Sequence, residues 1–356
     1  MQTYMYHCFV TAMSICYVHL GENPAPTLIS FAQVAREQVP EAELVLITNR
    51  PKDWKLFPGE LVEYDKKDRS RSFSSFIRRN RELEKIAGGY WAFTLERLFA
   101  LQKMRSNSKL PIIHFESDVF PLLQNDVLME LERRIKKVAF PRISKTRGIA
   151  SILYSPNMEK VNTFLDKLQE LLLKDLKIQN DMVLLGKALN QGLAEELPTL
   201  PEQAWKIQSK KGNRNIVFDG AALGQYLFGQ DPLHTNNVRI SGFQNPDFTL
   251  DLKTTNWKLN LEENLCKGLS FLVKGESYFP ANLHIHSKEI IEPFTKDLRR
   301  WEQAIQEANR IVPRVSSQEI LNVIHTKPIN ILNRLRIARK RGLKSAALSY
   351  LKRRFF

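Results

Sequence analysis

The chain has 356 residues, 43% hydrophobic and 26% charged; this is enough apolar material for a sizeable core and argues against global disorder. Its three cysteines, Cys8, Cys16 and Cys266, are odd in number and lack metal-ligand spacing, which argues against a disulfide framework and fits a reducing compartment. The net charge is +15, but ten of the cations lie within residues 325–356, which carry no acid, so the body is only mildly basic and the tail strongly so.

The N-terminal run MQTYMYHCFVTAMSICYVHLG is apolar, with no basic start and no clear small-residue cleavage site. Its aromatic and β-branched content predicts a core strand rather than a signal peptide. SICYVHLG (14–21) reads as a strand stopped by glycine, TLISFAQVARE (27–37) as a helix and AELVLITN (42–49) as a second buried strand, a succession that predicts a βαβ unit in a parallel sheet. Residues 50–80 are polar and basic and read as loop plus a short helix. YWAFTLERLFALQKM (90–104) predicts a helix, and LPIIHF (110–115) a short buried strand. DVLMELERRIKK then reads as helix, ASILYSPN as strand and VNTFLDKLQELLLKDL as a long amphipathic helix. NDMVLLGKALNQ predicts a helix with Asn180 or Asp181 near its N-cap. Residues 197–215, with Pro198 and Pro201, read as loop; FDGAALGQYLFGQDP (218–232) as a turn continuing into helix; 233–265 as irregular. LSFLVKG and ANLHIHSK are late strands, and FTKDLRRWEQAIQEANRI is a helix before Pro313. No run reaches ~18 apolar residues, so no spanning helix is predicted. The pattern as a whole predicts an α/β fold with a body over 1–312 and a basic amphipathic helical tail over 313–356.

The strand at 110–115 ends in His114-Phe115-Glu116-Ser117-Asp118 before turning apolar again. Open α/β sheets place ligands at strand C-termini. Two carboxylates there suit a hard divalent cation that also holds a substrate's phosphates; the plainer alternative is that Ser117 or Asp118 caps the next helix. Far downstream, His284 and His286 lie two apart on one face of a strand and offer imidazole to the same ion.

These segments, in order, resemble the DXD-type, metal-dependent GT-A glycosyltransferases, and in particular bacterial glycosyltransferase-like proteins with HFESDV and FDGAALGQYL segments. The resemblance covers about residues 7–295. It implies a GT-A-like, Rossmann-type mixed sheet, mainly parallel and flanked by helices. It further implies a nucleotide-sugar donor and a Mn²⁺ or Mg²⁺ ion bound by Asp118 and Glu116 with His286 or His284, His286 being narrowly favoured. Donor contacts would come from Arg97, Glu116, Ser117, Asp118, His19 (in ICYVHLGENPAP) and Ser151 (in IASILYSPN). The acid near the reacting sugar would be Asp181 in NDMVLLG, with Asp219 in FDGAALGQ its rival. The sequence departs from the usual motif in having Glu116 at the first acidic position. His234 and the asparagines of HTNN are candidate acceptor contacts.

In the tail, NILNRLRIARKRG aligns Ile331, Leu332, Leu335 and Ala338, and LKSAALSYLKRRFF aligns Leu343, Ala347, Leu351 and Phe355. A basic amphipathic helix of this kind predicts attachment to an anionic membrane surface; the bland alternative is a solvated helix packed on the body. The expected protein is then a cytoplasmic glycosyltransferase, peripheral on the inner membrane face, acting on a glycan or lipid-linked acceptor. Two rivals remain: a nucleic-acid-binding protein or metal-dependent nuclease, and a catalytically inactive GT-A-like scaffold. The body lacks a dense basic patch with interleaved aromatics, SRSFSSFIRRNR (70–81) being the nearest approach, so no nucleic-acid partner is expected.

Overall fold

The computed structural model describes residues 12–21, 25, 27–85, 89–104, 109–175, 178, 180–209, 212–228, 255–259, 269–285, 301–302 and 305–306. The tail, the loop with His234 and HTNN, Cys8, Cys266, His286 and most of the helix expected at 294–311 lie outside the described residues.

Strand β1 (Ser14–His19) leads through helix α1 (Leu28–Gln38) to strand β2 (Glu43–Thr48), which lies parallel to it in the register Ser14↔Glu43 to His19↔Thr48. Strand β3 (Glu60–Glu63), inside the stretch expected as loop, adds parallel to β2. Helices α2 (Arg71–Arg79), α3 (Glu82–Lys85) and α4 (Tyr90–Ala100) carry the chain to the other side of β1, where β4 (Ile112–Phe115) pairs, again parallel. The strand order therefore reverses between β1 and β4, the kind of crevice where open α/β sheets bind ligands.

A short strand β5 (Val119–Pro121) and helix α5 (Asn125–Arg134) follow, then the hairpin of β6 (Ala139–Ser144) and β7 (Arg147–Gly148), and β8 (Ile152–Ser155). Strand β8 is antiparallel to both β4 and β6. Helices α6 (Met158–Lys174) and α7 (Asp181–Asn190) precede β9 (Glu195–Leu197), which runs parallel to β6. The result is a mixed, mainly parallel eight-stranded sheet, β3-β2-β1-β4-β8-β6-β7 with β9 on β6.

Period-2 alternation explains why β1 reads as a continuous apolar run. Cys16 and Val18 face the layer built from α2, α4, α6 and α7, whereas Ile15 and Tyr17 face α1 and α5. Each Leu or Phe fully buried on these faces contributes roughly 1.5–3 kcal/mol.

Residues 197–215, expected as loop, instead carry β10 (Trp205–Ser209) and most of β11 (Gly212–Val217). After helix α8 (Leu223–Phe228) come β12 (Thr255–Leu259), inside the stretch expected to be irregular, then β13 (Leu269–Val273) and β14 (Glu276–Pro280). These strands form a second sheet, β10-β11-β14-β13-β12. This sheet is antiparallel except where β11 and β14 run parallel, and its polar residues hide it in the sequence, because strands buried on one face need only alternate positions apolar. Finally β15 (Asn282–His284) leaves this sheet and pairs antiparallel with β5, placing His284 opposite Val119.

Candidate metal centre

Strand β4 is buried on both faces, so its chain must turn out at the C-terminal end, and the turn carries the two acids. The Val119 N–H donates to the Glu116 carbonyl at 3.1 Å, and the Glu116 N–H to the Ser151 carbonyl at 3.2 Å. Thr27, just before α1, donates its hydroxyl to the Ser117 carbonyl at 3.1 Å. The Ile285 N–H donates to the Asp118 carbonyl at 2.9 Å, tying β15 to the same turn. Through this pairing His284 Nε2 stands 3.4 Å from Asp118 Oδ1 and 3.5 Å from Glu116 Oε2. Ligand atoms of Glu116, Asp118 and His284 all lie within 4.8 Å of one another.

The other imidazole nitrogen, Nδ1, is 2.6 Å from the Gly220 carbonyl. It can only donate there, so once Nε2 gives up its proton its lone pair faces the acidic cluster, the tautomer a metal-binding histidine needs. Burial opposes charging of His284, but Asp118 and Glu116, with the Gly220 carbonyl, outweigh it and push its pKa up to about 9. Burial raises the Glu116 carboxyl, against the pull of Arg97 and His284. Two clustered carboxylates and a correctly polarised imidazole suit a divalent cation of the Mg²⁺ or Mn²⁺ kind.

Arg97 of α4 bridges two buried acids: its guanidinium is 2.5 Å from Glu116 Oε1 and 2.8 Å from Asp181 Oδ2. Burial works against its charge, but the two carboxylates hold it protonated. The neighbouring Glu96 is occupied elsewhere, by Arg69 at 2.5 and 2.6 Å. Beneath lies His114, whose Nδ1 is 3.0 Å from the Cys16 carbonyl. Burial and then the Arg97 charge push its pKa down to about 3, so it is neutral.

Asp181 opens α7 without capping it. Asn180 does that, accepting the Val183 N–H at 3.0 Å. Asp181 is 2% exposed, and the Arg97 ion pair accounts for its burial. Asp219 is different. Its Oδ1 accepts from the Ala222 and Leu223 N–H groups at 2.8 and 2.9 Å, and its Oδ2 from those of Gly224 and His284 at 2.7 and 2.8 Å. Four backbone donors make this carboxylate a clamp between the start of α8 and β15, whereas the sequence resemblance made it a catalytic candidate. Asn282 completes the clamp, accepting the Asp219 N–H and donating to its carbonyl, and the Ser151 hydroxyl donates to that same carbonyl at 2.8 Å. Ser151 thus braces both the acid turn and the clamp. His19 stands at the same end of the sheet, its ring 5.0 Å from that of Trp54.

Among the described residues the late histidine in the cluster is His284. Sequence reasoning did not single out Thr27, Asn282 or the Gly220 carbonyl, because bracing groups carry no local pattern. Nor did it find Tyr90, half exposed at the start of α4; its hydroxyl is pushed up by its crowded surroundings and by Asp118, Asp181 and Glu116, with Arg97 opposing.

No protein-family model matches the chain, and no curated protein sequence matches it. Solved structures do. The glycosyltransferase GlyE of Streptococcus pneumoniae TIGR4 matches with a TM-score of 0.33 and 13% identity over 52% of this chain. The chain spans 45% of the length of GlyE. An active-site mutant of LgtC gives a TM-score of 0.35 and 15% identity, covering 53% of this chain and 76% of LgtC. Mouse xyloside xylosyltransferase 1 gives 0.35 and 9%, covering 53% of this chain and 87% of its own.

Proposed function

We propose that the protein is a metal-dependent glycosyltransferase that uses a nucleotide-sugar donor. The observation that carries this reading is the convergence of Glu116, Asp118 and a tautomer-fixed His284 at the C-terminal end of β4, beside a buried Arg97–Asp181 pair. A Mn²⁺ or Mg²⁺ ion held by these three residues would supply Lewis-acid neutralisation of the charge that develops on the leaving diphosphate. The chain's own residues do the rest. Arg97 remains cationic and anchors Glu116 and Asp181 while presenting positive charge to the donor. Asp181, oriented by that contact, either takes the acceptor hydroxyl proton or positions the acceptor. Asp219, Asn282 and Ser151 keep the histidine strand and the acid turn in register. Ser117 and His19, at the same end of the sheet, complete the donor side in this reading. The acceptor is a glycan or a lipid-linked saccharide, and the basic tail (313–356) holds the catalytic body (1–312) at an anionic membrane surface.

A thermal-shift panel of UDP-, GDP-, CMP- and dTDP-linked sugars, each with and without Mn²⁺, tests this. A ligand that binds the native state raises the midpoint by mass action. One nucleotide class should stabilise the protein only when metal is present, and Asp118→Ala should abolish that shift while remaining folded. A shift that survives in Asp118→Ala at wild-type size would remove the metal assignment. No shift with any donor would favour a scaffold or nucleic-acid role.

A further inference from the structure

Helix α4 is buried along most of its length, and of its eleven residues only Tyr90, Trp91, Phe93 and Arg97 reach solvent. Tyr90 is 52% exposed and Phe93 37%, whereas Trp91 and Arg97 are partly buried. A surface helix normally turns polar and charged residues outward. Here the outward positions are three aromatics and the arginine of the candidate metal centre. Tyr90, Phe93 and Arg97 stand at i, i+3 and i+7 and so share one face. Tyr90 begins that stripe about 10 Å from Arg97 along the helix axis. Helical side chains lean towards the N-terminus, so the guanidinium reaches back along the stripe.

The stripe leads to the acids. Tyr90 is half exposed, yet its hydroxyl end is crowded and stands in the field of Asp118, Asp181 and Glu116 as well as Arg97. The crowding and the three acids, with Arg97 opposing, keep this hydroxyl protonated and therefore a hydrogen-bond donor. The rings of Tyr90 and Trp91 meet edge to face, with centroids 5.0 Å apart and planes at 73°. Trp91 in turn packs against the apolar cluster of Ile143, Ile149, Met182 and Ala221. Met182 directly follows Asp181, so Trp91 ties the stripe to the start of α7, where that acid sits.

We infer that Tyr90, Trp91 and Phe93 form the subsite for a pyranose ring of the acceptor. A pyranose has an apolar C–H face and a rim of hydroxyls. The exposed aromatic rings cover the face, and the Tyr90 hydroxyl reads the rim; a few placed polar groups among aromatic side chains are the usual make-up of a small-molecule site. A lipid chain would need no polar handle, and this stripe has one at each end, the hydroxyl and the guanidinium. Asp181 selects the acceptor over the donor, since it is the group that meets the acceptor hydroxyl; this assignment rests on the glycosyltransferase reading.

Saturation-transfer-difference NMR on the full chain tests it, with the methyl glycosides of glucose, galactose, mannose and N-acetylglucosamine, and with octyl glucoside below its micelle concentration. At least one sugar should give signals, strongest on one C–H face of its ring. Tyr90→Ala and Phe93→Ala should each weaken binding about threefold to tenfold. Their unliganded melting temperatures should be unchanged, since both side chains are exposed. Tyr90→Phe, which keeps the ring, should keep the one-faced signals and weaken binding less than Tyr90→Ala. The Mn²⁺-dependent thermal shift by a nucleotide sugar should persist in Tyr90→Ala. The proposal is overturned by no signal from any glycoside, by wild-type affinity in both alanine variants, or by signals confined to the octyl chain, which would assign the stripe to a lipid. Loss of the donor shift in Tyr90→Ala would place the stripe on the donor side and overturn it as well. A protein that shifts with no donor yet gives Tyr90-dependent sugar signals would lose the glycosyltransferase reading and keep the pyranose site, so the two failures are distinguishable.

Discussion

Arg97 is the residue on which the buried charges balance. Glu116 and Asp181 both sit out of water, and one guanidinium contacts them both. Replacing it with Met keeps volume but leaves two uncompensated carboxylates facing each other. Breaking a buried pair in this way costs about 3–5 kcal/mol. Chemical denaturation of Arg97→Met should show a loss of that size; wild-type stability would mean that the acids are solvated. The adjacent pair Asn180 and Asp181 separates capping from chemistry. Asn180→Ala should lose about 1 kcal/mol of stability, the usual worth of an N-cap, with glycosyl transfer retained. Asp181→Asn should stay folded and lose transfer. The reverse pattern in denaturation and activity assays would make Asp181 merely structural. The sequence showed both residues at the helix start, but the partner that decides between them, Arg97, is 84 positions away.

Between secondary-structure elements, the site depends on how closely α8 approaches β15. A Cβ on Gly224 would lie 2.3 Å from the His284 carbonyl oxygen, a backbone atom that cannot step aside. Gly224→Ala should therefore push the strand away, costing about 1–3 kcal/mol and shrinking the Mn²⁺-dependent thermal shift. Asp219→Asn should act the same way, since an amide nitrogen cannot accept the two N–H groups now served by one carboxylate oxygen. Full retention of the metal-dependent shift in both variants would show that His284 needs no clamp. Elements with strong local signals were legible: β1, α1, β2, α4, β4, α6 and α7 lie where periodicity puts them. β3, β6 and β9 to β11 were not, because short, edge or proline-containing strands are defined by the neighbours they pair with.

Taken as one body, the protein assembles its candidate metal centre from two parts of the chain. The large sheet supplies the acids, and the segment leaving the second sheet supplies the histidine. The basic tail acts on the molecule as one unit. Under the proposed function, ten Lys and Arg without an acid, each worth about 1 kcal/mol near an anionic surface, would provide the peripheral attachment. Removing residues 325–356 should release the protein from anionic liposomes and leave donor binding intact. Sedimentation of the truncated protein with liposomes would place the membrane contact in the body. Among the described residues no helix is long and apolar enough to cross a membrane.

Local pattern was enough for the α/β class, the parallel start of the sheet and the acid turn after β4. Each of these rests on periodicity or on polarity changing within a few residues. It could not choose between His284 and His286, which share one face of a strand by the two-residue repeat. Long-range pairing brings His284 to the acids, through the register that sets it opposite Val119 and the Gly220 carbonyl that its Nδ1 faces, while His286 lies outside the described residues. The same holds for the Arg97–Asp181 pair and the Asp219 clamp. Both join residues more than sixty positions apart, and only the packed fold brings them within hydrogen-bonding distance.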